Sequence, residues 1–489
     1  MPVRVTHSAR PITEPAAHQQ SSRPLRATYP TQSLRFLQRL DDINAERKIT
    51  ENGYPTQAKL PLSVLIVGGG LGGLATAVAL ARRGHSVVVL EQAPQLEEVG
   101  AGIQIPPNSG MLLERLGVMK HLRDRAVLPE SIRLRRWSNG QVIGLTKLSP
   151  EFEENFASPY CVVHRSDFHE ALHKRAVELG VKLLLNSRVV GYNPADPSVT
   201  LANGSVMSAD IVIAADGIRS LAREIISPGP VGAPKDTGFA AYRATVEVEN
   251  MKQFPELAWV IENPNINIWI GEGRHVMTYP ISAGKTFNMV LSHKDYSDPS
   301  TWNNKEVLED IKKEFAGWDP QLMTIIGLIE KAMKWPLRSG GRLRNWVAPS
   351  SKLLTLGDAA HAMVPYMSQG AAMAVEDGAA LAIALNQVER QSEVASALHI
   401  FQKERIERTG QMQDASMMNG HIWHFADGPE QEARDNAMRA EVIGRPFVAS
   451  ANQWSDPTTQ CWAYGYDAEH AMEEAMYRAR SEVNGNSAC

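Results

Sequence analysis

One glycine-rich run limits the folds open to this chain more than any other feature. The run reads Gly68-x-Gly70-x-x-Gly73, follows an uncharged apolar stretch at residues 62–67 and opens an alanine-rich segment. In such a run the first glycine makes a tight turn, the second lets backbone N–H groups approach a pyrophosphate, and the third lets helix and strand pack closely. The sequence therefore predicts a strand, turn and helix that bind a dinucleotide; the alternative is a turn that serves packing alone.

The segment after this run completes a βαβ unit. We expect a helix over residues 71–83, a stop at Gly84 and a second strand over residues 86–90. Glu91 stands at the end of the second strand, where an acidic side chain can accept a hydrogen bond from a ribose hydroxyl. A glycine triplet alone is a weak signal, but its place between a strand and a helix, followed by Glu91, strengthens the prediction of a dinucleotide site.

The overall composition argues against several classes of protein. The 489 residues carry 54 acidic and 50 basic side chains, a net charge of -4, so no general field attracts nucleic acid or anionic lipid. Cys161, Cys461 and Cys489 have no C-x-x-C spacing, and His421 and His424 have no third ligand in a recognisable pattern. We therefore expect neither nucleic-acid binding nor a metal site.

Two segments bear on membranes and targeting. Residues 60–81 are uncharged and about long enough to span a bilayer, but the glycines in their middle favour the strand, turn and helix, so we expect no integral membrane segment. Residues 1–60 are rich in proline and polar side chains and are predicted to form a flexible leader. Their arginines partly match a mitochondrial transit peptide, although the prolines interrupt an amphipathic helix. We expect a cytoplasmic protein and leave mitochondrial import open.

Two later motifs also stand at predicted strand ends. Asp216-Gly217 follows one apolar run, and Gly357-Asp358 follows another. Ligands of open α/β sheets collect beyond the carboxyl ends of the strands, so these motifs are expected to meet the glycine run at one edge of a sheet. An Asp-Gly pair at a strand end is by itself usually only a turn.

The three motifs, in this order, resemble those of the FAD-dependent aromatic hydroxylases, which are single-component flavin monooxygenases, and within them the salicylate hydroxylase-like branch. The resemblance covers residues 61–468 and includes a D-G-x-x-S-x-x-R block that ends at Arg223 and a late W-A-Y-G-Y-D-A run that ends at Ala468. Only one dinucleotide fingerprint is present, so flavin and nicotinamide nucleotide are expected to share one site rather than occupy separate Rossmann domains.

The resemblance implies the fold and its division into domains. We expect an α/β protein with a Rossmann-like FAD-binding domain (the PHBH-like fold, named for p-hydroxybenzoate hydroxylase), an inserted sheet-based substrate domain and a helical C-terminal region. The three motifs must meet around one flavin, so the FAD-binding domain is discontinuous. The implied boundaries are a leader at residues 1–60, the FAD-binding domain at residues 61–130, 160–232 and 346–395, the substrate domain at residues 131–159 and 233–345, and the helical region at residues 396–489.

The resemblance also implies roles for particular residues. Arg219 is expected to hold a substrate phenolate by charge and Tyr242 by hydrogen bonding, while Arg223 is expected to contact a phosphate. A helix that begins near Gly370 and points at the flavin would stabilise the anion of reduced flavin. The implied FAD contacts are Gly68, Gly70, Gly73, Glu91, Gln104, Arg165, Asp216, Asp358, Gly370 and Ala371.

The implied activity is a monooxygenase reaction. NADPH or NADH reduces FAD, O2 is captured as a C4a-hydroperoxyflavin, and a phenolic or aromatic carboxylic substrate is hydroxylated. The protein is expected to be a monomer or a homodimer. The cofactor carries out the difficult step, and the protein supplies binding and orientation. One alternative is an FAD-dependent epoxidase or other FAD oxidoreductase of secondary metabolism that acts on a non-aromatic substrate, because fold does not determine chemistry. The other is a flavin-binding regulatory protein.

Overall fold

Strands and helices alternate along the computed structural model, which describes residues 57–96, 101–229, 232–303 and 305–486. Residues 1–56 of the predicted leader lie outside these ranges. The strands are β1 (Ser63–Val67), β2 (Ser86–Leu90), β3 (Gly102–Ile105), β4 (Ser131–Arg136), β5 (Val142–Lys147), β6 (Cys161–His164), β7 (Lys182–Leu184), β8 (Val189–Asn193), β9 (Ser198–Leu201), β10 (Val206–Ser208), β11 (Ile211–Ala214), β12 (Lys235–Glu247), β13 (Ile266–Gly271), β14 (Arg274–Ile281), β15 (Thr286–Lys294), β16 (Ala332–Ser339) and β17 (Leu353–Thr355).

The α-helices fall into three groups: those among the nucleotide-binding strands, those that follow β12, and a long C-terminal series. Their bounds are α1 (Leu71–Ala81), α2 (Pro107–Arg115), α3 (Glu151–Phe156), α4 (Arg165–Glu178), α5 (Leu221–Ile226), α6 (Val248–Met251), α7 (Ala258–Glu262), α8 (Val307–Glu314), α9 (Pro320–Gly327), α10 (Asp358–His361), α11 (Gly370–Asn386), α12 (Val394–Trp423), α13 (Pro429–Ala437), α14 (Arg439–Val442), α15 (Pro457–Tyr464) and α16 (Ala468–Asn486).

A five-stranded parallel sheet carries the glycine-rich run. Its strand order is β17-β11-β1-β2-β7, and every neighbouring pair is parallel. The three central strands are nearly continuous apolar runs, as expected for a sheet that is covered on both faces. Because all five strands point the same way, their carboxyl ends form one edge, and the three motifs of the sequence lie along it.

Small residues allow α1 and α11 to pack closely on one face of this sheet. A Cβ added to Gly378 would lie 2.8 Å from the Cα of Thr76, and one added to Gly72 would lie 3.1 Å from the Cβ of Ala374. A larger side chain at either glycine would push the two helices apart. This close approach brings the start of α11 next to the glycine turn.

A seven-stranded mixed sheet forms the second layer, in the order β16-β12-β15-β14-β13-β4-β5. Only the β13 and β4 pair is parallel. Strands β4 and β5 precede β6 in the chain, whereas the other five follow α5, so this sheet is assembled from two separated segments. One face packs against the α6–α9 region around Trp269 and Phe315. The other face turns toward the parallel sheet.

The predicted fold class is confirmed by this mixed α/β architecture with its helical C-terminal region. The predicted strand at residues 86–90 matches β2, and the helix predicted at residues 71–83 ends two residues earlier, at Ala81. The domain boundaries stay a prediction. In the ranges that the structure describes, no helix is both long and apolar enough to cross a membrane.

Candidate active site

A cavity of about 330 Å³ separates the carboxyl edge of the parallel sheet from the inner face of the seven-stranded sheet. Residues of both layers line it, so whatever binds at the nucleotide-binding edge also faces the second sheet. On the nucleotide side the lining includes Gly70, Gln104, Arg165, Gly217, Asp358, Gly370 and Ala371. On the side of the seven-stranded sheet it includes Ala241, Arg243, His275, Met277, Tyr279, Val290 and Leu337.

The three fingerprint glycines are needed for two different reasons, close backbone packing and space for a ligand. Gly68 has a φ of +110°, and a Cβ there would lie 2.2 Å from the carbonyl oxygen of Ala215. A Cβ on Gly73 would lie 2.0 Å from the carbonyl oxygen of Gly68. These two positions are closed to any side chain by packing. Gly70 differs, because a Cβ there would meet nothing within 4 Å and would project into the cavity.

Glu91 braces the glycine turn from the end of β2. Its Oε2 accepts a hydrogen bond from the N–H of Gly69 at 2.8 Å, and its Oε1 accepts one from the N–H of Ala93 at 2.8 Å. The carboxylate is therefore held beside the turn, where a ribose is expected in a Rossmann-like site. Glu91 is not among the residues that line the cavity itself.

Asp216 precedes Gly217, which lines the cavity, but Asp216 itself is not among the lining residues. Oδ2 accepts hydrogen bonds from the hydroxyl of Tyr192 at 2.9 Å and from the N–H of Leu221 at 3.1 Å. Burial, with a smaller contribution from Asp216, raises the pKa of Tyr192, so its phenol stays a neutral donor. Oδ1 is buried and has no hydrogen-bond partner among the described residues. Asp216 thus shapes the start of α5, and its predicted FAD contact stays a prediction.

Arg223 joins the second motif to the third. Its guanidinium donates to the carbonyl oxygen of Ala359 at 2.8 Å, to that of Gly217 at 3.2 Å and to that of Ile218 at 2.8 Å. Burial lowers the pKa of Arg223, which is 5% exposed. The side chain is thus committed to three backbone carbonyls, and the phosphate contact expected from the sequence stays a prediction. Arg223 clamps α10 to the turn at Gly217.

The third motif presents its residues to the cavity. Asp358 is the first residue of α10 and is exposed at the cavity wall, and Gly370 and Ala371 are the first residues of α11. The N-terminus of a helix carries unpaired N–H groups and partial positive charge, so it favours an anion. Gly70, Asp358 and the start of α11 are therefore brought to one space, as the sequence predicted.

A buried ionic cluster supports this motif from behind; it consists of Asn108, His361, Gln369, Glu376, Asp377, Arg405 and Arg408. Arg405 donates through Nη1 to Glu376 and through Nε to Asp377, both at 2.8 Å, and all three side chains are fully buried. Arg408 adds a second cation, with Nη2 3.1 Å from Glu376. The two carboxylates are thus neutralised in the apolar interior.

The buried ionic cluster reaches both the third motif and the residue before α11. Asp377 Oδ2 accepts hydrogen bonds from the N–H of Gly357 at 3.0 Å and from Nε2 of His361 at 2.7 Å. Burial by itself would raise the pKa of Asp377, but His361 and Arg405 together hold it below its ordinary value. Asn108 donates to Glu376 at 2.7 Å and to Gln369 at 2.9 Å. The loop before α10 and the residue before α11 are therefore tied to one set of charges.

The buried ionic cluster was not predicted, although the sequence carries a signal for it. Glu376 and Asp377 interrupt an otherwise apolar, alanine-rich helix, and Arg405 and Arg408 are three residues apart on the next helix. Adjacent charges in such a helix are seldom buried without partners. The late W-A-Y-G-Y-D-A run also meets it, because Arg408 donates to the carbonyl oxygen of Ala463 at 2.9 Å.

The two predicted substrate contacts do not line the cavity, and their substrate roles stay a prediction. Tyr242 lies on the far face of β12, where it stacks on His293 with a centroid distance of 4.6 Å and is 2% exposed. Side chains alternate along a strand, so its neighbours Ala241 and Arg243 face the cavity instead. Arg219 ends a short 3-10 turn, is exposed, and does not line the cavity.

Fold and site together define a class of protein: a dinucleotide-binding α/β protein whose nucleotide edge opens onto a second sheet that can hold another ligand. A sequence model of the family described as "FAD binding domain" matches residues 61–416. The chain belongs to this family, among its FAD-dependent monooxygenases, as the resemblance predicted. FAD is its cofactor.

Named relatives place the chain within the family. It is 34% identical over 418 residues to the "FAD-dependent monooxygenase OpS4" of Beauveria bassiana. The alignment covers 85% of this chain and 97% of that protein. It is also 34% identical over 417 residues to a "3-hydroxybenzoate 6-hydroxylase" of Polaromonas naphthalenivorans. That alignment covers 84% of this chain and 98% of that protein. A solved salicylate hydroxylase in complex with its substrate has the same fold, with a TM-score of 0.69, 24% identity, and coverage of 86% of this chain and 98% of that one.

The residues at the cavity fit FAD. The space beside Gly70 is one that a Cβ would enter, and it adjoins the N-terminus of α1, where a pyrophosphate is stabilised by unpaired N–H groups. The second helix N-terminus, at Gly370, adjoins the same cavity. In the described parts of the chain, no group of three or more His, Cys, Asp or Glu side chains is arranged to hold a metal ion.

The different roles of the fingerprint glycines lead to opposite mutational effects. We expect Gly70→Ala to fold with an unchanged free energy of unfolding but to bind FAD about tenfold more weakly or worse, because its methyl group enters the cavity. Gly73→Ala should lower the free energy of unfolding by about 3 kcal/mol, because its methyl group overlaps a backbone oxygen. Urea unfolding and titration of flavin fluorescence measure the two effects. Equal losses of stability in both variants would contradict this division.

The buried ionic cluster makes Arg405 a stability determinant. Arg405→Met should lower the free energy of unfolding by about 3–5 kcal/mol, because it leaves Glu376 and Asp377 buried with too little positive charge. Urea unfolding measures the loss. Arg342→Met is the matched control: Arg342 pairs with Asp414 on the surface, and such pairs contribute about 1 kcal/mol or less. A loss of about 1 kcal/mol or less in both variants would show that the buried ionic cluster is not needed for stability.

Proposed function

We propose that this protein is a monooxygenase that uses NAD(P)H and O2 to hydroxylate a phenolic aromatic acid. The observation that carries the proposal is the shared cavity, in which the flavin-binding edge faces the side chains of Arg243 and Tyr279 on the second sheet. Two relatives support the substrate class, since their names specify a hydroxybenzoate and salicylate.

The nucleotide side of the cavity would hold FAD. Gly70 and the start of α1 would meet the pyrophosphate, Gln104 and Arg165 the middle of the cofactor, and Asp358 the ribitol. The N-terminus of α11, at Gly370 and Ala371, would favour negative charge on the ring system. FAD, when bound there and reduced by NAD(P)H, would activate O2, and one oxygen atom of that O2 would enter the aromatic ring.

Arg243 and Tyr279 supply the polar contacts for an aromatic acid. Arg243 lines the cavity with a permanently charged fork that suits a carboxylate. Tyr279 is 2% exposed, and burial raises the pKa of its phenol, with an opposing effect from Arg243. Tyr279 therefore stays a neutral hydroxyl that can donate a hydrogen bond. One cation and one donor on the same face can orient a ring that carries a carboxylate.

Apolar side chains would keep water from the reacting ring. Met277, Val290 and Leu337 line the cavity on the sheet side, and Tyr366 lines it from the loop before α11. Their surfaces match a flat hydrophobic ring, and exclusion of water protects reactive intermediates from side reactions.

A substrate panel tests the proposal. The purified, yellow protein is mixed with NADH or NADPH and O2, and nucleotide oxidation is measured with hydroxybenzoates, neutral phenols and polyenes, with hydroxylated product determined by mass spectrometry. We expect phenolic acids to stimulate oxidation most and to gain one oxygen atom. If polyenes are oxidised and no aromatic compound is, the aromatic hydroxylase proposal is wrong.

Arg243 should determine affinity for the acid. Arg243→Gln should raise KM for a hydroxybenzoate by about 10–100-fold, since a charge-assisted hydrogen bond contributes about 1.5–3 kcal/mol. The same change should alter KM for the matching neutral phenol far less. Arg219→Gln is the control, and we expect no more than about a twofold effect because Arg219 does not line the cavity. A larger effect of Arg219→Gln would restore the substrate role predicted from the sequence.

A further inference from the structure

Two histidines form a path from the cavity toward the protein surface. His275, on β14, lines the cavity and is 2% exposed. Its Nδ1 is 2.8 Å from Nε2 of His424, the residue that follows α12. His424 is only partly buried. One imidazole thus lines the ligand space, and the residue in contact with it is partly exposed.

Aromatic rings hold this histidine pair in position. Tyr366 and Trp423 pack edge-on against His275, with centroid distances of 5.3 and 5.1 Å. Phe239 stacks on His424 at 4.9 Å. Rings packed on several sides restrict rotation of the imidazoles, so the bond between the two histidines keeps its geometry.

The surroundings keep both histidines neutral. Burial, reinforced by His424, lowers the pKa of His275 well below its ordinary value. Burial, reinforced by Lys294, Arg434 and His421, lowers the pKa of His424 to about 3. A neutral imidazole has one N–H donor and one bare nitrogen. Two neutral imidazoles in contact can therefore take up a proton at one end and release one at the other without either remaining charged.

We propose that His275 and His424 carry the proton of the substrate hydroxyl out of the cavity. The substrate O–H bond breaks as an N–H bond forms at Nε2 of His275. The proton on Nδ1 of His275 moves to Nε2 of His424, and the proton on Nδ1 of His424 passes to water. One proton has then left the site, and both rings are neutral in the opposite tautomers. The reverse transfer returns a proton to the product oxygen and restores the starting tautomers.

The chemistry of the proposed substrate requires such a path, and the inference rests on the proposed function. A phenol with a pKa of about 10 is mostly protonated at neutral pH. Loss of its proton makes the ring electron-rich. Arg243 can stabilise the resulting charge but cannot accept a proton.

His424→Gln is the test variant, because an amide can keep a hydrogen bond to His275 but does not relay a proton. For the wild type we expect kcat to be nearly constant between pH 6 and pH 8. For His424→Gln we expect kcat to be at least about tenfold lower at pH 7 and to rise about tenfold per pH unit, since the bound phenol must then give its proton to hydroxide from solution. KM should change little. With a nitro-substituted phenolic acid, which is already ionised at pH 7, His424→Gln should have the same kcat as the wild type.

His421→Gln is the matched control, because it removes an exposed imidazole of the same helix and leaves the bond between His275 and His424 intact. We expect its pH profile to match that of the wild type. If His424→Gln also keeps the wild-type profile, the relay is wrong, while the proposed function stands. If the wild type hydroxylates no phenol, the proposed function fails and the relay fails with it.

A measurement on the wild-type holoenzyme tests the relay without any variant. A phenolic acid is added at pH 7 in weak buffer, the absorbance of bound phenolate is recorded, and an indicator dye follows protons released to solvent. We expect phenolate absorbance and release of about one proton per bound ligand. Tight binding with neither signal would overturn the relay.

Discussion

The charge pairing of Arg405 with Glu376 and Asp377 is the interaction on which the rest of the site depends. Two carboxylates and two guanidinium groups are buried together between these helices. Each needs the others, because any one of them alone would be an unpaired buried charge. Asp377 also accepts a hydrogen bond from the N–H of Gly357. Asn108, which donates to Glu376, donates to Gln369 as well. The same side chains therefore neutralise the buried charges and fix the geometry of the cavity wall.

The second constraint is the close approach of backbone to backbone at the glycine turn. Gly68 and Gly73 leave no room for a Cβ, and the tight turn they permit directs α1 toward the cavity. Glu91 and Arg223 strengthen this arrangement with hydrogen bonds to the turn and to α10. The nucleotide edge is thus built mainly from backbone groups held in place by a few charged side chains. This agrees with the nearly balanced net charge of -4, which supplies no strong general field.

Strand alternation decides which groups a substrate meets. On β12, Arg243 faces the cavity and Tyr242 faces the α6–α9 region, so a shift of one residue in register would exchange them. On β14, the same alternation brings His275, Met277 and Tyr279 to the cavity. A motif such as Ala-Tyr-Arg shows that a strand carries a tyrosine and an arginine, but it does not show which one points inward. Which side chains of the second sheet face a substrate can for this reason not be read from such a motif.

The sequence by itself determined the Rossmann-like unit, the fold class and the meeting of Gly70, Asp358 and Gly370 at one edge. Those conclusions depend on local spacing, on glycine positions and on the rule that parallel strands end at one edge, all of which can be read along the chain. Only the tertiary structure decided that Arg223 clamps two motifs, that Arg405 neutralises Glu376 and Asp377, and that His275 meets His424. The two histidines are 149 residues apart in the chain. Contacts between side chains so far apart in sequence depend on strand register and helix packing, which no local pattern encodes.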